Sequence, residues 1–147
     1  MKKIISILYI VFSSLLVQSQ IEFNGIELGT IQKGEMMIKT TYDNIDGVIL
    51  LNKIPVFDSI YEIIFYPSED GASIVKIQDT TAKRIIKSIE DRYEIKFFNV
   101  EGSKSNDMFY KTIKDDVEYG YHLTSNEKNS EVALMIWFIN QRLEKFK

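Results

Sequence analysis

The clearest stretch of helical spacing stands in a chain whose other runs read mostly as strands. Ala82, Ile85, Ile86, Ile89 and Tyr93 fall on one stripe of a helix, while Lys83, Arg84, Lys87, Ser88 and Asp91 fall elsewhere. Asp79, Thr80 or Thr81 supplies a side-chain oxygen for the free backbone N–H groups at its start. The spacing predicts one amphipathic helix over about 80–92. A single apolar stripe has to be buried against a second layer, and here that layer is a sheet.

Strand-forming runs flank the helix on both sides. Glu35 to Tyr42 alternates loosely, and Val48 to Ile54 is apolar on both faces and stops at Pro55. Between them, Asp46-Gly47 is a hairpin-turn signal. Asp58 to Tyr66 reads as a third strand, with Tyr61, Ile63 and Phe65 on one side and Ile60, Glu62, Ile64 and Tyr66 on the other. Pro67 to Gly71 is turn chemistry, and Ser73 to Ile77 is a candidate return strand. After the helix, Glu94 to Val100, Met108 to Ile113 and Val117 to Ser125 read as strands, with a polar loop over Glu101 to Asp107 and a turn over Asn126 to Asn129. The run from Val132 to Phe146 fits a helical stripe as well. Its density of Ile, Trp and Phe favours a strand from Glu131 to Asn140, followed by a short helix or frayed end over Gln141 to Lys147. Short connections favour antiparallel pairing. The expected fold class is α+β: an antiparallel sheet of about six to eight strands with one helix packed on one face. The other face is expected to be only partly covered.

The N-terminal segment is a targeting signal by its pattern. Lys2 and Lys3 precede an apolar run from Ile4 to Val17, and Val17-Gln18-Ser19 offers small or aliphatic residues at an exit site. These fourteen residues, interrupted only by Ser6, Ser13 and Ser14, rise about 21 Å as a helix, short of a hydrocarbon layer of about 30 Å. Cleavage after Ser19 is therefore expected, with 1–19 as signal peptide and 20–147 as a single globular domain. The product is expected to be exported, periplasmic or extracellular, with no stable membrane anchor.

Composition narrows the chemistry. The chain has 18 basic and 21 acidic residues, a net charge of -3, which loss of Lys2 and Lys3 takes to -5. Nucleic acid is not an expected partner, because phosphate binding needs clustered Lys and Arg. There is no cysteine, hence no disulfide, thiol nucleophile or thiolate metal site. His122 is the only histidine. With Glu118, Gly120 and Thr124 it shares one face of its strand, and Glu118 is about 13 Å away along it, so a catalytic partner has to come from a neighbouring strand. The acids Asp43 and Asp46, Glu69 and Asp70, and Asp115, Asp116 and Glu118 sit at turns, and none follows a calcium-loop spacing. No catalytic, cofactor-binding or metal-binding set is assigned, and no cofactor is expected.

Aromatic residues remain as the candidate surface: Tyr110, Tyr119, Tyr121 and Trp137, with His122 among them. The competing reading, which is favoured, packs them into the core beneath the helix. The functional expectation is a small exported binding or interaction module with a protein or glycan partner. The alternatives are a carboxylate-based hydrolase or glycan-active enzyme using His122, and a structural accessory that joins a cell-surface complex through an open sheet edge. A flat aromatic sheet face favours the binder, a deep pocket gathering His122 with acids the enzyme, and a long unpaired edge the accessory.

Overall fold

The computed structural model describes residues 21–68, 76–125 and 130–147. The segment expected as a signal peptide, most of the turn expected over Pro67–Gly71, Ser73 to Val75 and the turn expected over Asn126–Asn129 lie outside the described residues. A small hairpin, β1 (Glu22–Phe23) and β2 (Ile26–Glu27), comes first. Next come β3 (Met37–Tyr42), β4 (Ile45–Ile54) and β5 (Ser59–Pro67). The two-residue β6 (Ile77–Gln78) leads into helix α1 (Asp79–Tyr93). The chain continues through β7 (Phe98–Asn99), β8 (Asp107–Lys114), β9 (Val117–Ser125) and β10 (Glu131–Asn140), and then a short helix α2 (Gln141–Glu144). The large sheet is antiparallel and eight-stranded, ordered β3-β4-β5-β10-β9-β8-β7, with β6 added beside the start of β10.

The Glu131–Asn140 segment is a strand, and it is central. It pairs with β9 from Val132 to Asn140 and with β5 from Ile136 to Ile139. Its burial alternates without a break: Val132, Leu134, Ile136 and Phe138 are buried, while Ala133, Met135, Trp137 and Ile139 are half-buried on the opposite face.

α1 and the β1–β2 hairpin share one face of the sheet, the inner face. Ala82, Ile85 and Ile89 of the helix are buried in one cluster with Ile49, Leu51, Ile63, Phe65, Ile136 and Phe138. Phe23 of the hairpin sits among Tyr42, Phe65 and Phe138, with ring centroids 4.8–5.2 Å apart. The Tyr93 hydroxyl, at the end of α1, donates to the Glu22 carbonyl at 2.6 Å and ties the two covering pieces together.

Several local expectations change. The β3–β4 turn is Asp43-Asn44, with φ of 51° and 62°, three residues ahead of the Asp46-Gly47 signal. Two successive left-handed residues match the right-handed twist of a two-residue hairpin loop. Gly47 lies inside β4, where the Phe65 ring occupies the space a Cβ would need. Asp115-Asp116, with φ of 52° and 62°, makes the same turn between β8 and β9. The N-cap of α1 is Gln78, without a side-chain cap, so Asp79, Thr80 and Thr81 do not act as caps. Asp79 instead sits in the first turn, where its carboxylate pairs with Lys83 at 2.5 Å. Of Glu94 to Val100, only Phe98-Asn99 is a strand. Glu94 closes the helix in the left-handed region, and Ile95 still donates to the Glu90 carbonyl at 3.0 Å. Ile60, expected beside Glu62 and Ile64, is fully buried because the β4–β5 register shifts at Asn52/Lys53.

Candidate functional site

The outer face of the sheet is where the chain's unusual side chains gather. Strand parity decides which residues stand there. Tyr119 and Tyr121 alternate with Glu118, Gly120 and His122, and the two sets point to opposite faces. Tyr119 is 1% and Tyr121 8% exposed, both on the inner face. Tyr119 meets Tyr93 and Phe138, and Tyr121 lies between Phe97 and Tyr110. Tyr110 is half-buried on the same inner side, its ring parallel to that of Tyr121 at 4.8 Å. Three of the five candidate surface residues, Tyr110, Tyr119 and Tyr121, are thus part of the core packing. Burial raises the hydroxyl pKa of Tyr119 to about 12, and it raises those of Tyr93 and Tyr121 further.

His122 and Trp137 are on the outer face. Trp137 stands opposite Gly120, and its indole fills the space over that glycine. Its Nε1–H donates to Glu118 Oε1 at 3.0 Å, and the other oxygen of Glu118 lies 3.4 Å from Lys111 Nζ. The indole is therefore fixed in position by a neighbouring strand. One cross-strand step away, His122 stacks flat against Phe109, with centroids 4.0 Å apart and planes 3° from parallel. His122 Nε2 also bonds Asp107 Oδ1, and Thr124 Oγ1 stands 3.3 Å from the same nitrogen. Hydrogen bonding from His122 holds the Asp107 carboxyl below the usual carboxylate range.

That cluster does not have the order of a nucleophilic relay. A relay sets the carboxylate on one ring nitrogen and the nucleophile on the other. Here Asp107 and Thr124 both meet Nε2. A hollow of about 120 Å³ adjoins it, lined by Tyr66, Pro67, Thr124 and Met135 among others. It lies where β10 changes neighbours from β5 to β6. Among the described residues, no three His, Asp or Glu side chains come together as a metal site.

Most of the face is apolar. The register places Lys39, Val48, Tyr66, Met135, His122 and Phe109 on one level across the sheet. The next level carries Met37, Leu50, Ile64, Trp137, Gly120 and Lys111. Phe98 extends that level at the far edge and is 67% exposed. Below it come Asn52, Glu62, Ile139, Glu118 and Ile113. Leu50, Ile64, Tyr66, Met135, Trp137 and Ile139 are half-buried, while Val48 is buried. Among the described residues, the helices and the small hairpin pack on the inner face or at the strand ends, so no helix or strand covers this one. Polar side chains ring it: Asn52 donates to Glu62 at 2.6 Å, Lys111 meets Glu118, and Asp107 meets His122.

Parity in β9 puts His122 on one face with Glu118 and Thr124, but no motif or spacing marks Tyr66, Ile64, Leu50 or Met135 as surface residues. A coarser signal is present: Val48 to Ile54 and Val132 to Ile139 are apolar on both faces. An antiparallel sheet with one solvated face alternates instead. No described helix is long and apolar enough to cross a membrane. Comparison with protein-family models, curated proteins and solved structures finds no match for this chain.

Proposed function

We propose that this protein is an exported interaction module that binds a macromolecular partner through the outer face of its sheet. The observation that carries the reading is the continuity of apolar side chains across three adjacent strands, Leu50 on β4, Ile64 on β5 and Trp137 on β10, at one level of the register. Contiguous apolar patches beyond a few hundred Å² are uncommon on monomeric proteins and mark contact surfaces. The surrounding polar groups suit an interface rim, and the anchored indole suits a central contact. Catalysis is the weaker reading, because among the described residues His122 bonds a single acid, Asp107, and presents one nitrogen to both Asp107 and Thr124. The edge-joining reading has less room. β7 is only two residues long, and the Asn24 side chain donates to the Thr41 carbonyl at the edge of β3. The apolar leader supports export, which places the working surface in the periplasm or outside the cell.

The test is affinity capture from the native envelope fraction, read by mass spectrometry, with the unaltered chain and with Ile64→Lys. Ile64 faces outward, so the substitution charges the face without entering the core. A partner held by the unaltered chain and lost by Ile64→Lys is the expected result. Retention by both, or turnover of sugar or peptide substrates without any captured partner, overturns the proposal.

A further inference from the structure

The geometry points to a second copy of this chain as the occupant of the outer face, related by a two-fold axis that runs along the strands between β5 and β10. The inference rests on the reading that this face binds, and it names the partner.

Area is the first argument. Six strands, from β3 to β8 across the sheet, span about 24 Å at the usual spacing of about 4.8 Å. The outward residues of β8 from Asp107 to Ile113 run about 20 Å along the strand. Two such faces in contact bury on the order of 1,000 Å², the size at which a specific interface begins. A small ligand or a single peptide strand would leave most of that surface open. A matching sheet covers it, in the aligned face-to-face packing of a β-sandwich.

Charge is the second argument, and it selects the axis. Lys39 is exposed on β3, at one lateral edge of the face. Phe109 is level with it at the opposite edge on β8, and Asp107 is the next outward residue along that strand. A two-fold axis along the strands lays β3 of each copy on β8 of the other. Lys39 then meets the ring of Phe109 and the carboxylate of Asp107, and symmetry makes the contact twice. The same operation sets Ile64 on β5 of one copy against Trp137 on β10 of the other. An axis across the strands instead lays β8 on β8 and brings Asp107 near the Asp115-Asp116 turn, where like charges repel.

Sedimentation of the purified chain, with its N terminus as the producing cell leaves it, tests the proposal between about 1 and 300 µM. The expected result is a monomer–dimer equilibrium. Ile64→Lys abolishes it, with circular dichroism reporting that the chain is folded. Lys39→Glu changes only an exposed side chain and weakens the dimer about tenfold, as does Asp107→Lys. Mixing those two variants restores dimers. The carboxylate introduced at position 39 of one copy then faces the ammonium introduced at position 107 of the other, while the unaltered Lys39 faces the unaltered Asp107. A monomer throughout the range overturns the inference, as does a dimer indifferent to Ile64→Lys or a mixture no tighter than its components. If the chain stays monomeric while envelope capture remains sensitive to Ile64→Lys, self-pairing fails and the binding reading stands. If the unaltered chain neither dimerises nor captures a partner, both fail.

Discussion

The indole of Trp137 occupies the space directly over Gly120 on the neighbouring strand. A Cβ at position 120 would lie 2.2 Å from Cε2 and Cζ2 of the ring. Glycine there is required by an approach too close for any side chain, and its backbone stays in ordinary strand conformation. Gly120→Ala has to displace the ring and stretch its bond to Glu118. The expected cost is about 1–3 kcal/mol, the range for forcing extra volume into a packed site. Urea unfolding measures it, and a red shift of the emission of the single Trp reports the displaced ring.

Tyr93 and Glu22 make a comparable link on the inner face. The hydroxyl at the end of α1 donates to the β1 backbone at 2.6 Å, across seventy-one residues of sequence. Tyr93→Phe keeps the ring contacts with Tyr119 and Phe138 and deletes only that bond. The expected loss is about 1 kcal/mol of stability. Hydrogen exchange checks the location: the Leu28 amide, which bonds the Ile21 carbonyl in the small hairpin, exchanges faster, while amides in β10 follow only the global change.

What the sequence discloses follows from how local each signal is. The α1 stripe is readable because its partner is a single layer, and Glu131 to Asn140 is readable as a strand from its β-branched and aromatic residues. The Asp46-Gly47 signal misleads because that glycine answers to the Phe65 ring across the β4–β5 pair, a tertiary demand with no local trace. The turn itself falls to Asp43-Asn44, which tolerate positive φ nearly as well. Alternation in β9 separates Tyr119 and Tyr121 from His122, but which set faces the helix depends on strand pairings far apart in sequence. The Asp107 partner of His122 comes from β8, across a hairpin pairing, so single-strand spacing cannot reveal it.

Buried hydroxyls on the inner face set the alkaline limit. Tyr119 titrates near 12 in the folded chain, against about 10 when unfolded. A raised folded value means its contribution to stability is complete below about pH 10 and disappears as pH rises toward 12. Tyr93 and Tyr121 are shifted in the same direction, so the losses accumulate. Chemical denaturation between pH 8 and 12 is expected to show stability falling steeply above pH 10. Tyr119→Phe gives a shallower fall, and an identical slope in the variant would contradict the assignment.

At the acid end the relevant pair is on the outer face. Asp107 has a depressed pKa because His122 bonds its carboxylate, with Thr124 and Lys104 contributing less. A depressed folded value gives stability that is present above the ordinary carboxylate range and is lost as pH falls through the lower, folded value. Asp107→Asn removes that dependence while keeping the shape of the side chain. The variant is expected to be less stable than the parent at pH 6 and to converge with it as pH approaches 2. Lys104 and Thr124 are unchanged, so the difference reports the carboxylate that faces His122. The Phe109 stack depends on ring contact and is unaffected by this charge, so the histidine ring protons of Asp107→Asn should keep the upfield shift that a ring 4.0 Å away imposes. Loss of that shift in NMR spectra would mean that Asp107 also positions the imidazole.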